Sequence, residues 1–280
     1  MLTINLVGGG RVGQTLGRLI AQSGHYRVQD VLTRHAVSAN DAVAFIGAGQ
    51  PMQHLRDLHA ADMWLLAVPD GQIAPMANAL ALLEVAQTPA LALHCSGALG
   101  AAELSPLKDK GWQVASAHCL LSFAQPAAAV TQFAGTPCAL EGDAPALPEL
   151  RKLFTRLGAQ CFDLAAADKL LYHAGAVFAT NFLPVLQDLA EQLWQHSGMP
   201  PELARQMRAT LLNNAVNNLV RLGPQGALTG PAARGDVALV ATQGEAVLHW
   251  NALAGTAYQA LSQLASQLAQ GQSALPQSLG

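Results

Sequence analysis

The chain has 280 residues, of which 51% are hydrophobic and only 12% charged, with a net charge of −3. It carries no basic stripe, which argues against a nucleic-acid footprint, and no apolar run of membrane-spanning length. Ordinary soluble domains carry about 25% charge, so the deficit points either to an extensive interface in a homo-oligomer or to a compositional bias toward Ala, Leu and Gln.

Ile4 to Val7 is an apolar run with β propensity. It meets Gly8, Gly10 and Gly13 at G-x-G-x-x-G spacing, and a helix-like pattern with Leu16, Leu19 and Ile20 follows. In such a strand–turn–helix, Gly8 allows the turn. Gly10 lets the backbone approach a pyrophosphate, and Gly13 lets the helix pack close to its strand. The first free N–H groups of that helix, beginning at Arg11 and Val12, then point at the phosphates. A purely structural turn, or another nucleotide-like ligand, stays open. Tyr26 to Thr33 reads as the second strand. An NAD-binding fold places an acidic residue near its end, but here the chain reads Thr33-Arg34-His35. A guanidinium pairs with a 2′-phosphate where a carboxylate would repel it. Thr33 and Arg34 therefore favour NADP, the alternative being a solvated loop arginine. The missing carboxylate also argues against a methyltransferase.

Residues 40–58 read as a short helix and loop. Met63 to Val68 and Ala90 to His94 are continuous apolar runs, as expected of parallel strands buried on both faces. Val68, Pro69 and Asp70 follow the first of these, at the strand end where open α/β sheets bind ligands. Ile73 to Leu83 reads as a helix and Gln113 to His118 as the next strand. His94 and His118 thus end successive strands on one sheet edge, either as structural histidines or as site residues, with His94 assigned to the cofactor. Ser96 can cap a helix or meet a substrate carboxylate. Two short strands, Phe133 to Leu140 and Gln160 to Leu164, flank a helix over 147–157. The four cysteines, Cys95, Cys119, Cys138 and Cys161, form no C-x-x-C pair and read as reduced core residues, with no metal site.

From Ala166 the pattern is helical. One long helix is expected over Asp168–His196 and a second over Glu202–Leu222. A last helix is expected from Thr242, where Thr242 and Glu245 have capping-box spacing, to Gln270. Residues 271–280 are expected to fray. On the first of these helices Lys169, His173 and Thr180 share one face, with Asn181 to one side. His173 is the sharper acid–base candidate, since histidine titrates near neutral pH; Lys169 can equally be a solvated first-turn residue. Arg234, between glycines, can anchor a carboxylate, while Asp236 can pair with it or cap the next turn. Asn213, Asn214, Asn217 and Asn218 can line either a cleft or an interface.

The fingerprint, His94-Cys95-Ser96-Gly97, Ser116-Ala117-His118 with Ser122-Phe123, the stretch from Lys169 to Asn181, and Leu228-Thr229-Gly230-Pro231 with Arg234-Gly235-Asp236 occur together. In this the chain resembles a bacterial family of predicted oxidoreductases with a Rossmann-like N-terminal domain and a helical C-terminal domain of unknown function. It is more distantly similar to pyrroline-5-carboxylate reductase, ketopantoate reductase and the deazaflavin-dependent NADP oxidoreductases. The resemblance implies an NADP-binding dimer with an unassigned substrate. By the same analogy Lys169 or His173 relays a proton and Asn181 orients the substrate. Cys119 departs from the proline usual in the family.

These readings give an α/β chain, a Rossmann-type, mainly parallel sheet followed by an all-helical C-terminal domain of the 6-phosphogluconate dehydrogenase type. Residues 1–165 bind the dinucleotide; residues 166–280 serve substrate and dimerisation. The expected function is cytoplasmic, NADP-dependent hydride transfer to or from a small polar carbonyl or imine in the inter-domain cleft, without nucleic-acid or membrane partners. The alternative is a non-catalytic NADP-binding sensor or interaction module.

Overall fold

A computed structural model of the chain describes residues 1–272. All but the first two residues of the expected frayed end, 271–280, lie outside that range. The eight strands are β1 (Leu2–Val7), β2 (Tyr26–Leu32), β3 (Gln50–Met52), β4 (Met63–Leu66), β5 (Leu91–His94), β6 (Gln113–Cys119), β7 (Pro137–Gly142) and β8 (Gln160–Asp163). They form one sheet in the order β3-β2-β1-β4-β5-β6-β7-β8, parallel except where β7 runs antiparallel to β6. The order reverses between β1 and β4, which opens a crevice at their carboxyl ends.

Side chains alternate between the faces of a strand, and here both sets are apolar. Ile4, Leu6, Met63 and Leu65 pack with α1 (Arg11–Ser23), α2 (Ala36–Ile46) and later α6 (Ala146–Arg156) through Leu16, Ile20, Ile46 and Phe154. Val7, Trp64 and Leu66 pack on the other face with α3 (Ile73–Ala81) and α4 (Ser105–Lys108), through Ile73, Leu80 and Leu107. Each such fully buried side chain contributes roughly 1.5–3 kcal/mol. Three short elements of this sheet region escape the sequence pattern: β3, a three-residue edge strand, α4, and α5 (Pro126–Gln132). Consequently Phe133, read above as the start of a strand, ends α5, and β7 begins at Pro137.

The chain divides into two compact units, Met1–Asn181 and the remainder from Phe182. The first closes with α7 (Lys169–Ala176) and a π-helical turn over Val177–Asn181. The expected helix over Asp168–His196 is therefore not regular throughout; α8 (Phe182–His196) resumes after the π turn. The second unit continues with α9 (Pro201–Ala227), interrupted at Gly223, then α10 (Val237–Trp250) and α11 (Ala252–Ala269). The single last helix expected from Thr242 is two helices. Asp236, not Thr242, caps the first of them, accepting from Leu239 N at 3.2 Å. Thr242 bonds back to Ala238 O inside α10, and Asn251 breaks the run and caps α11 through Ala254 N at 2.9 Å.

Candidate functional site

The turn after β1 is built from backbone. Gly8 has φ +111°, and a Cβ there would lie 2.3 Å from Ala67 O. Gly8 N donates to Leu32 O at 2.9 Å and Ala67 N to Val7 O at 2.8 Å, so the turn is tied to β2 and β4. Gly13 faces the Gly8 carbonyl so closely that a Cβ would sit 2.0 Å from it. Gly10, by contrast, has nothing within 4 Å of where a Cβ would be. The first intrahelical bond of α1 is Gln14 N to Gly10 O, so the amides of Arg11, Val12 and Gly13 have no acceptor within the helix.

A cleft of about 500 Å³ runs beside this turn, lined by Gly8, Gly9, Gly10, Thr33, Arg34, His35, Val68 and Pro69, among others. Six expected cofactor residues thus share one wall: Gly8, Gly10, Thr33, Arg34, Val68 and Pro69. Arg34 is exposed on it. Gly13 is buried beneath the turn, and Asp70 stands exposed in the short 3-10 turn after Pro69.

His94 does not line this cleft. It is fully buried. Its Nδ1 accepts from Ser96 N at 3.2 Å and its Nε2 meets Gly100 O at 3.0 Å. Both ring nitrogens are thus occupied in bracing the loop after β5, where burial lowers the imidazole pKa. Ser96 Oγ accepts from Ala98 N and Leu99 N in the same loop. Its hydroxyl therefore ties down a loop turn rather than capping the expected helix: the next helical turn starts only at Ala101, after Gly100.

A second cleft, of about 490 Å³, lies between the end of β6 and the α7–π segment. It is lined by His118, Ser122, Tyr172, His173, Thr180 and Asn181 with smaller apolar groups. Three expected substrate-site residues, His118, His173 and Asn181, therefore meet. His118 Nδ1 is 2.9 Å from the Tyr172 hydroxyl, and the His118 and His173 rings stand edge to face with centroids 5.6 Å apart. Gly97 makes this possible: a methyl group on it would lie 2.5 Å from His173 Nδ1 and 2.8 Å from His118 Nε2. A small apolar pocket brings Val12 of the fingerprint together with Cys95, His118 and Cys119, so the start of α1 and the end of β6 border one space.

Burial, then the neighbouring His173 and Lys169, push the His118 pKa down from 6.5 to about 4, against a weaker pull from Asp70. Burial raises that of the Tyr172 phenol. The depressed histidine makes stability pH-dependent. Above 6.5 neither state holds the proton; between 6.5 and about 4 only the unfolded chain takes it up. Stability must therefore fall as pH drops through that window. At about 1.4 kcal/mol per unit, less for partial exposure, the loss is about 2–3 kcal/mol. Chemical denaturation across this range should show it in the wild type and a flatter profile in His118→Gln.

Lys169 is not solvated; it is 1% exposed. Its Nζ donates to Ser116 Oγ at 2.9 Å and to Ser96 O at 3.3 Å. Ser116 Oγ donates to Glu141 Oε2 at 2.9 Å, which also accepts from Ala101 N at 2.8 Å. Ser116 and Glu141 are paired in register across β6 and β7. Desolvation lowers the Lys169 pKa, opposed by Glu141 and Asp70. Tyr172 and Glu141 are the site residues that sequence reasoning missed. Tyr172 was signalled only by adjacency to His173, and Glu141 only by a strand register that the sequence did not supply.

Arg234 lies in the second unit, exposed in the turn before α10. Asp236 caps that helix rather than pairing with it. The cysteines are free: Cys119 and Cys138 are buried register partners with sulfurs 3.5 Å apart. Burial pushes the Cys95 thiol up to about 12. No group of His, Cys, Asp and Glu among the described residues could hold a metal, and no described helix is long and apolar enough to cross a membrane.

A Rossmann-like domain model matches residues 1–118, and the domain of unknown function DUF2520 matches residues 136–265. No curated protein matches the chain. Among solved structures, a Thermotoga maritima protein is 24% identical over 96% of this chain and 98% of its own, with a TM-score of 0.73. A Bacteroides fragilis protein, provisionally named an NADP oxidoreductase, is 19% identical over 95% and 98%, at 0.75. Coxiella burnetii pyrroline-5-carboxylate reductase is 14% identical over 95% and 98%, at 0.57. At these identities the likeness establishes the fold. The chain is thus a Rossmann-like domain followed by a DUF2520 domain, which bears out the family its motifs resemble.

Proposed function

We propose that the chain is an NADP-dependent oxidoreductase acting on a small polar carbonyl or imine. The observation that carries this reading is the sharing of one sheet edge by two clefts: the glycine turn with Arg34, and His118, Tyr172, His173 and Asn181. The small pocket of Val12 and His118 adjoins the second cleft and reaches the start of α1, next to the glycine turn. The open space at Gly10 and the free amides of Arg11 to Gly13 fit a pyrophosphate, and Arg34 fits the 2′-phosphate. Bound NADP(H) would supply the hydride at its nicotinamide ring. Val12 and Cys95 would shield that end from water. Asn181 and Thr180 would orient the substrate, and His118 or His173 would hold the proton at its oxygen or nitrogen. His94 and Lys169 would act from behind the surface, by bracing the loop and the helix that carry the site. The named relatives fit this reading, among them a Plasmodium falciparum pyrroline carboxylate reductase with NADP bound.

We take residues 1–165 as the dinucleotide-binding domain and 166–280 as a helical domain for substrate and dimerisation, in which Arg234 would anchor a substrate carboxylate. Large apolar side chains are exposed along the helical segment, including Leu171 at 80%, Val220 at 83% and Leu253 at 80%. Exposed apolar side chains of this size are the material of an association site, and a second copy would cover them. Light scattering should give a dimer mass.

Arg34→Ala should weaken NADPH binding by roughly 10- to 100-fold, the worth of one charge-assisted contact. NADH binding should hardly change; an equal loss for both would remove Arg34 from the 2′-phosphate. The deciding experiment follows NADPH absorbance with small keto acids and cyclic imines. Turnover supports the reading. Tight NADPH binding with no turnover across a broad panel would leave a non-catalytic NADP-binding module.

A further inference from the structure

We infer that Tyr172 holds His118 in the tautomer that carries its proton on Nε2, so that a neutral imidazole offers an N–H to the substrate cleft. This rests on that cleft being the substrate site. The Tyr172 hydroxyl and His118 Nδ1 are 2.9 Å apart, and the rings meet edge to face with centroids 5.5 Å apart. A phenol has one proton to give. Among the described residues His118 Nδ1 is the one protein group hydrogen-bonded to that hydroxyl. When the phenol donates to Nδ1, the single N–H of a neutral imidazole must stand on Nε2.

The surroundings of Nε2 agree. His173 Nδ1 is buried without a hydrogen-bond partner, and it and His118 Nε2 crowd the same point over Gly97. With His173 protonated on its own Nε2, an N–H on His118 Nε2 shares that space with a bare Nδ1 of complementary charge, whereas a bare His118 Nε2 would add a second lone pair there. Nε2 itself has no protein partner within bonding distance among the described residues, which leaves its N–H available to a carbonyl oxygen or imine nitrogen. Burial keeps the ring neutral near physiological pH. Tyr172 is then a positioning residue. It acts through His118, and its hydroxyl can be removed without loss of packing.

The test is nitrogen-15 NMR of selectively histidine-labelled protein near neutral pH, with His118 assigned through His118→Gln. The wild type should give one tautomer, protonated at Nε2 and unprotonated at Nδ1. Tyr172→Phe should move His118 toward a mixture at unchanged thermal stability. A wild-type His118 protonated at Nδ1, or a Tyr172→Phe spectrum identical to wild type, would overturn the inference. With any substrate that turns over, Tyr172→Phe should lower kcat about tenfold, with NADPH affinity held; unchanged kcat would also overturn it. If no substrate turns over, the reductase reading fails while the spectra still decide the tautomer.

Discussion

Gly13→Ala should lower the unfolding free energy by about 3 kcal/mol and abolish NADPH binding, whereas Gly10→Ala should abolish binding alone. The two glycines stand in the same fingerprint but in opposite surroundings. A Cβ on Gly13 would meet Gly8 O at 2.0 Å and Gly8 C at 3.1 Å. Those are backbone atoms, and they cannot yield, because Gly8 is itself held at φ +111° with Ala67 O filling its own Cβ position. Alanine is worth up to about 1 kcal/mol more than glycine in a helix, but overpacking of a rigid site costs about 1–3 kcal/mol and occasionally more. The clash therefore wins, and α1 must move away from β1. At Gly10 a methyl group meets nothing within 4 Å, so stability should change by less than about 1 kcal/mol. The methyl would instead occupy the space assigned to the pyrophosphate. Urea denaturation and fluorescence titration with NADPH separate the two effects. Wild-type affinity in a stable Gly10→Ala variant would move the pyrophosphate elsewhere.

What was legible in the sequence was local. The glycine spacing and the apolar runs of β1, β4 and β5 specify strand, turn and helix without reference to distant residues, and the sheet edge bearing His118 follows from strand order. What escaped depended on partners far along the chain. Lys169 reads as a first-turn surface residue until Ser116 and Glu141, 53 and 28 positions earlier, are set beside it by the β6–β7 register. The π turn at Val177–Asn181 interrupts the helix on which His173, Thr180 and Asn181 are read, and regular 3.6-residue spacing does not foresee it. Thr242 and Glu245 have the spacing of a cap, yet the true cap six residues earlier is Asp236. Spacing alone does not say that a helix is already running.

Lys169→Met should destabilise the protein by about 2–3 kcal/mol and lower turnover, leaving NADPH affinity intact. Methionine nearly conserves volume, so no large cavity contributes. The loss comes from the groups left behind. Ser96 O and Ser116 Oγ each lose the ammonium as donor, and Glu141 keeps its bonds from Ser116 and Ala101 without a nearby cation. Breaking a fully buried pair costs about 3–5 kcal/mol, but here a hydroxyl intervenes and Glu141 is only half-buried, which reduces the figure. Adding Glu141→Gln should restore part of the loss, since the orphaned carboxylate is then gone; strict additivity would contradict the coupling. The wild type should also gain stability as pH rises toward 10.5. Desolvation depresses the lysine pKa in the fold, so the folded chain releases this proton before the unfolded one. Lys169→Met should lack that rise. Turnover should fall because the ammonium pins the first turn of α7 to the loop after β5 and to β6, and Tyr172 and His173 ride on that helix. A Lys169→Met enzyme with wild-type kcat would show that the site holds its geometry without the buried lysine.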